Sequence, residues 1–137
     1  MADRRYEGGC LCGQVRFVAA VDPMEVAYCH CRMCQRSSGA PALAWAAFPK
    51  GAFDYSLGKP AVYRSSDHAV REFCGACGTQ IAFRDDHLAE VDVNVGAFDA
   101  PEALPPSFHI WNASRIPWFD PDDGLPRYED DGPPRQV

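Results

Sequence analysis

Seven cysteines lie in three tight groups: Cys10-Leu11-Cys12, Cys29-His30-Cys31-Arg32-Met33-Cys34 and Cys74-Gly75-Ala76-Cys77. An odd number of cysteines cannot close into intramolecular disulfides without a remainder, and a reducing compartment keeps them as thiols. So many thiols in 137 residues point to metal. Structural zinc takes four thiolates in a tetrahedron, and two short pairs from distant parts of a chain supply them well. Cys10/Cys12 and Cys74/Cys77 are such pairs, and Gly13 and Gly78 follow them directly, where the backbone has to turn tightly. Cys29, Cys31 and Cys34 remain. Three protein ligands and one vacant position are the arrangement of a catalytic zinc. The expectation is two zincs per chain, one closed and structural, one open. Three other readings of the same residues stay open. The second trio is merely buried; or a C-x-x-C pair is a redox site, although neither pair sits in a βαβ pattern; or His30 completes the second site as a fourth ligand.

The formal net charge of -6 and the pI near 5.0 argue against nucleic acid or an anionic membrane surface as a partner. Seven thiolates and two divalent zincs would take that charge to about -9. The longest charge-free apolar stretch, Gly39 to Pro49, is shorter than the roughly 20 residues of a spanning helix. The N-terminal residues carry arginines with no apolar run behind them, unlike a signal peptide. A cytoplasmic protein is expected. The length predicts a single zinc-binding domain over 1–137, with a core of about 7–128 and a frayed tail over 129–137.

The pattern is one of short strands separated by turns, a mainly β chain. Strands are predicted over 14–18, 25–28, 42–48, 53–56, 61–65, 70–73, 79–83 and 90–95, the last from strict alternation. Cys31 to Ser38 is polar and lacks β-branched residues, so a loop or one helical turn is predicted. Six of the 12 prolines fall between Pro101 and Pro126, which no helix or long central strand survives. Phe108, Trp111, Trp118, Phe119 and Tyr128 are interleaved there, predicting an irregular segment anchored by its rings.

At the three cysteine groups the sequence resembles the glutathione-dependent formaldehyde-activating enzyme family, a domain type also seen in centromere-protein-V-like proteins. The resemblance rests on Gly8-Gly9-Cys10-Leu11-Cys12-Gly13, on Cys29 to Gly39, and on Phe73-Cys74-Gly75-Ala76-Cys77-Gly78-Thr79. It extends to His109-Ile110-Trp111, Pro117-Trp118-Phe119 and Leu125-Pro126. It implies a β-tent type zinc fold of short antiparallel strands. It implies a structural zinc on Cys10, Cys12, Cys74 and Cys77, and a more labile one on Cys29, Cys31 and Cys34. The implied activity is carbon–sulfur lyase or synthase chemistry: condensation of formaldehyde with glutathione, as co-substrate, to S-(hydroxymethyl)glutathione.

A zinc with a vacant position binds a thiol and strips its proton. A three-thiolate zinc, however, already carries net -1, and a bound thiolate makes it -2. Arg32, Gln35, Arg36, Ser37 and Ser38 follow the cluster and are candidate glutathione contacts. A helical turn there would offer N–H groups to a carboxylate. Trp111, Asn112 and Arg115 are further candidates, although both Trp111 and Trp118 read more readily as core. His109 reads as a hydrogen-bonded structural histidine or a proton donor, and His68 and His87 as surface residues. The competing functions are a zinc-stabilised binding module and a zinc or redox sensor; the expected assembly is a monomer or a homodimer.

Overall fold

The computed structural model describes residues 4–133. Its strands are β1 (Tyr6–Gly9), β2 (Arg16–Ala19), β3 (Glu25–Cys29), β4 (Leu43–Pro49), β5 (Phe53–Leu57), β6 (Ala61–Arg64), β7 (Ala69–Phe73), β8 (Gln80–Asp85), β9 (Glu90–Asn94) and β10 (Phe108–Ile110). Among the described residues the single α-helix is α1 (Arg32–Ser38). The fold is therefore mainly β. One sheet has the order β1-β2-β5, the other β10-β3-β4-β9-β8-β7-β6.

Each strand expected from alternation has a counterpart within a few residues. Four features differ. β1 is not among the expected strands. Cys31 to Ser38 yields a seven-residue helix rather than a single turn, closed by Gly39 at φ 73°, where a side chain would be strained. The proline-rich segment contributes β10, three residues long at the sheet edge, where missing N–H groups are tolerated. And β10 runs parallel to β3, whereas the other pairings are antiparallel.

The strand β4 explains the layering. Its edges pair with β3 and β9, and its two faces pack into different clusters, so it is apolar throughout. Successive side chains point to opposite faces. Ala46 and Phe48 join the main core with Phe17, Ile81, Val91, Val93 and Leu104, while Leu43 and Trp45 join a second cluster with Cys29 and Cys34. The main core lies where the small sheet meets the large one, with Phe17 edge-on to Phe98 at 5.0 Å. The second cluster lies on the opposite face of the large sheet. Cys10 and Cys74 belong to the main core, so the cysteine groups occupy opposite faces of one sheet.

The C-terminal segment returns to the edge. His109 pairs through its N–H with Pro126 O and through its carbonyl with the Tyr128 N–H, both at 2.9 Å. The Trp111 N–H reaches Asp130 O at 2.7 Å, so part of the expected tail is hydrogen-bonded to the domain. Residues 134–137 of that tail lie outside the described residues. No helix among the described residues is long and apolar enough to cross a membrane.

Candidate functional site

Cys10 and Cys12 sit in the turn between β1 and β2, and Cys74 and Cys77 in the turn between β7 and β8. The four sulfurs lie within 4.8 Å of one another, with Cys10–Cys12 at 3.6 Å and Cys12–Cys74 at 3.8 Å. Four sulfurs at ~2.3 Å from a tetrahedral zinc would be ~3.8 Å apart, so the spacing fits the ion. Gly13 and Gly78 adopt φ of 81° and 82°, which lets each turn curl its N–H groups back onto sulfur: Val15 N–H to Cys10 Sγ at 3.2 Å, Cys77 N–H to Cys74 Sγ at 3.4 Å. Thr79 links the two turns. Its hydroxyl accepts from the Leu11 N–H at 3.0 Å and lies 3.2 Å from Cys77 Sγ. That contact, with backbone N–H groups from Thr79 and Cys12, lowers the Cys77 thiol to about 5, while at Cys12 the Gln14 N–H is outweighed by desolvation and the neighbouring sulfurs, which raise that thiol to about 11; a bound cation would let all four be thiolates.

The second group is a trio. Cys29 ends β3, Cys31 caps α1 and Cys34 lies in its first turn. Their sulfurs also lie within 4.8 Å of one another. Cys29 and Cys34 are each only 4% exposed, while Cys31 is half-buried. The Cys31 sulfur accepts the Cys34 N–H at 3.3 Å. Donation from Cys29 and Cys34 then lowers the Cys31 thiol, whereas hydrogen bonding to the neighbouring sulfurs and burial raise Cys29. Three thiolates this close together repel one another, so a cation would be needed to hold them, and three sulfurs at this spacing suit zinc.

Two residues beyond the cysteines complete this cluster. Trp45 Nε1–H points at Cys34 Sγ, 3.4 Å away. The Arg71 guanidinium lies 3.8 and 3.9 Å from the same sulfur, 3.3 Å from Ser37 Oγ, and over the Phe83 ring at 5.0 Å. Neither residue stands out in the sequence. The available signal was a charged side chain, Arg71, within a predicted strand.

His30 turns away from the sulfurs and is not part of the trio. Its Nε2 meets His109 Nδ1 at 2.8 Å, and His109 Nε2 meets Asp123 Oδ2 at 2.8 Å. An ionised carboxylate only accepts. A neutral His109 therefore carries its proton on Nε2 and receives the His30 Nε2–H on Nδ1. Both imidazoles are fully buried. Burial first, and then His109, lower His30 to about 4, so it stays neutral. His68 and His87 are exposed beside Asp85, as expected.

The candidate glutathione contacts divide. Gln35 is buried and donates to His30 O at 2.6 Å and Ser114 O at 3.1 Å, and Arg32 donates to Gln35 Oε1. Ser37 and Ser38 donate to Cys34 O. Arg115 ties the carbonyls of Pro117 and Phe119 at 2.9 and 3.2 Å, and Asn112 faces Glu129. These groups hold the loop and the C-terminal segment together. Arg36 is exposed. Of the α1 N–H groups expected to meet a carboxylate, that of Cys34 is taken by Cys31 Sγ. Trp111 and Trp118 are not core: they are 40% and 76% exposed. Trp111 also has φ of 55°, a conformation that costs a non-glycine residue energy.

A solved structure of a Rhodobacter sphaeroides protein, a structural-genomics target, shares this fold with a TM-score of 0.57 at 21% identity, over 89% of this chain and 98% of that one. An uncharacterized lyase of Schizosaccharomyces pombe is 34% identical over 80 residues, which are 57% of this chain and 56% of the relative. The match thus spans little more than half of that relative's length. Residues 5–114, covering all three cysteine groups, match the profile of the glutathione-dependent formaldehyde-activating enzymes, and the chain belongs to that family.

Proposed function

We propose that the chain is a single-domain carbon–sulfur lyase or synthase that interconverts glutathione and formaldehyde with S-(hydroxymethyl)glutathione. The carrying observation is the division of seven sulfurs into a set of four and a set of three. Zinc bound by three protein thiolates supplies an open position at which a substrate thiol loses its proton. The net reaction adds the glutathione S–H across the formaldehyde C=O: a carbon–sulfur bond forms, and the carbonyl oxygen becomes a hydroxyl.

The chain's own residues have distinct tasks. Cys29, Cys31 and Cys34 are the working ligands, and Cys10, Cys12, Cys74 and Cys77 hold the structural ion. The half-buried Cys31 lies on the accessible side of the trio. Gln35, Ser38 and Arg115 fix the loop rather than touch substrate. We assign the walls of the approach to Trp111 and Trp118: both are exposed, one beside Ile110, which packs on the three-cysteine cluster, and the other beside Phe119, whose ring lies against His30. Seven free cysteines suit a reducing cytoplasm.

Thiols add to formaldehyde unaided, so the test is a rate and not a yield. Exchange between hydrated formaldehyde and the adduct, followed by magnetisation-transfer NMR at fixed glutathione, should accelerate with the zinc-loaded protein and return to the buffer rate with Cys31→Ser. Equal exchange with and without the zinc-loaded protein would remove this reading.

A further inference from the structure

Three thiolates around a divalent ion leave the centre with an excess negative charge, and an anionic fourth ligand doubles it. Gathering like charge in a largely buried site is costly unless something nearby offsets it. Arg71 is placed to do so. It is 5% exposed, and a guanidinium stays charged even when buried. Its terminal nitrogens face Cys34 Sγ at 3.8 and 3.9 Å. Two contacts hold it there: Ser37 Oγ and the ring of Phe83, its cross-strand partner. The Trp45 indole N–H approaches the same sulfur from β4, so Cys34 receives donors from two strands while Cys31 remains on the open side.

We propose that Arg71 is a positioning residue for the three-cysteine centre: it holds the Cys34 sulfur and offsets the charge of the filled site, so that an anionic thiolate is accepted as the fourth ligand. The inference rests on the three-cysteine zinc reading above and deepens it. Its distinguishing consequence is selectivity. A fixed positive charge favours an incoming thiolate and does little for a neutral ligand of similar size. A residue that merely packed the loop would affect both alike.

The full chain, loaded with cobalt in place of zinc, reports both. Cobalt–thiolate absorption gives the affinities for 2-mercaptoethanol, which binds as thiolate, and for imidazole, which binds neutral. In the wild type the thiol should be clearly preferred. Arg71→Met should lower that preference about tenfold or more, chiefly through the thiol, with the circular dichroism spectrum and the cobalt signature of the four-cysteine site preserved. Arg71→Lys, which keeps the charge and loses the fork, should retain most of the preference. If Arg71→Met is insoluble, Arg71→Gln carries the same expectation. An unchanged preference in the neutral variants, or equal losses for both ligands, overturns the proposal for Arg71 alone. A wild type that takes no cobalt on the three cysteines, or takes it and binds no thiol, overturns the proposed function and this inference with it.

Discussion

A β-carbon on Gly8 would sit 2.4 Å from Ala97 O and 2.7 Å from Phe98 Cα, both backbone atoms. Neither can move aside as a side-chain tip would. Gly8→Ala should therefore destabilise the domain by about 1–3 kcal/mol, read as a lower denaturation midpoint; an unchanged midpoint would mean that β1 is looser than its contacts imply. Trp111 makes the opposite case. Its backbone is strained while its ring is partly exposed. Trp111→Gly should be more stable than Trp111→Ala by about 1 kcal/mol, and calorimetry should show glutathione binding weakened in both. Binding equal to wild type in both would deny the ring a role in the approach. The cysteines were legible at this scale because thiol spacing limits what they can bind. Arg71, Trp45 and Thr79 were not, because each acts through a neighbour brought close by strand pairing. The contacts assigned to Gln35, Asn112 and Arg115 came from adjacency in the chain. Adjacency does not show the local hydrogen bonds these side chains make, Gln35 and Arg115 to backbone carbonyls and Asn112 to the Glu129 carboxylate.

Strand alternation located β2 to β9 well, since a half-buried strand writes its two faces into the sequence. The partner and direction of β10 were not written there. They depend on the return of the C-terminal segment, which the Asp123–His109–His30 chain fastens to the cysteine loop. His109→Leu should leave buried polar groups unpaired, at a cost of about 1–3 kcal/mol. Amides over 109–130 should then exchange faster, with those of β8 and β9 unaffected. Uniform protection would mean that the segment is held by its backbone bonds alone. A second link ties β2 to the segment after β9. The Arg16 fork on Asp99, 2.9 Å at Nη1, holds that carboxyl below the usual carboxylate range, mainly through the hydrogen bond. Unfolding returns Asp99 to ~3.9. The stabilisation is therefore complete above that value and disappears as pH falls through the lowered one. Asp99 is largely exposed, so Asp99→Asn should cost under about 1 kcal/mol at pH 7. Salt should erase part of the difference, and strong acid all of it; a difference that grew in acid would contradict the pairing.

At the scale of the whole molecule, one seven-stranded sheet separates the two cysteine groups. The set of four clamps the β1–β2 turn to the β7–β8 turn at the main core, and the set of three lies across the sheet beside Trp45 and Arg71. The division into four and three could be read from spacing; the face each set occupies could not, since it follows from which residues of β4 point inward. This separation predicts independent fates. A zinc on the set of four would supply folding free energy, since metal binding and folding are one equilibrium in small zinc domains. The open site sits on a sheet that is already formed. Native mass spectrometry of zinc-replete wild type, Cys31→Ser and Cys74→Ser, paired with thermal unfolding, tests this most directly. The account predicts two zincs in the wild type, one zinc and a near-normal midpoint in Cys31→Ser, and no stable folded Cys74→Ser. A wild type holding one zinc after zinc is added back, or two variants that each lose one zinc with the same midpoint, would contradict it.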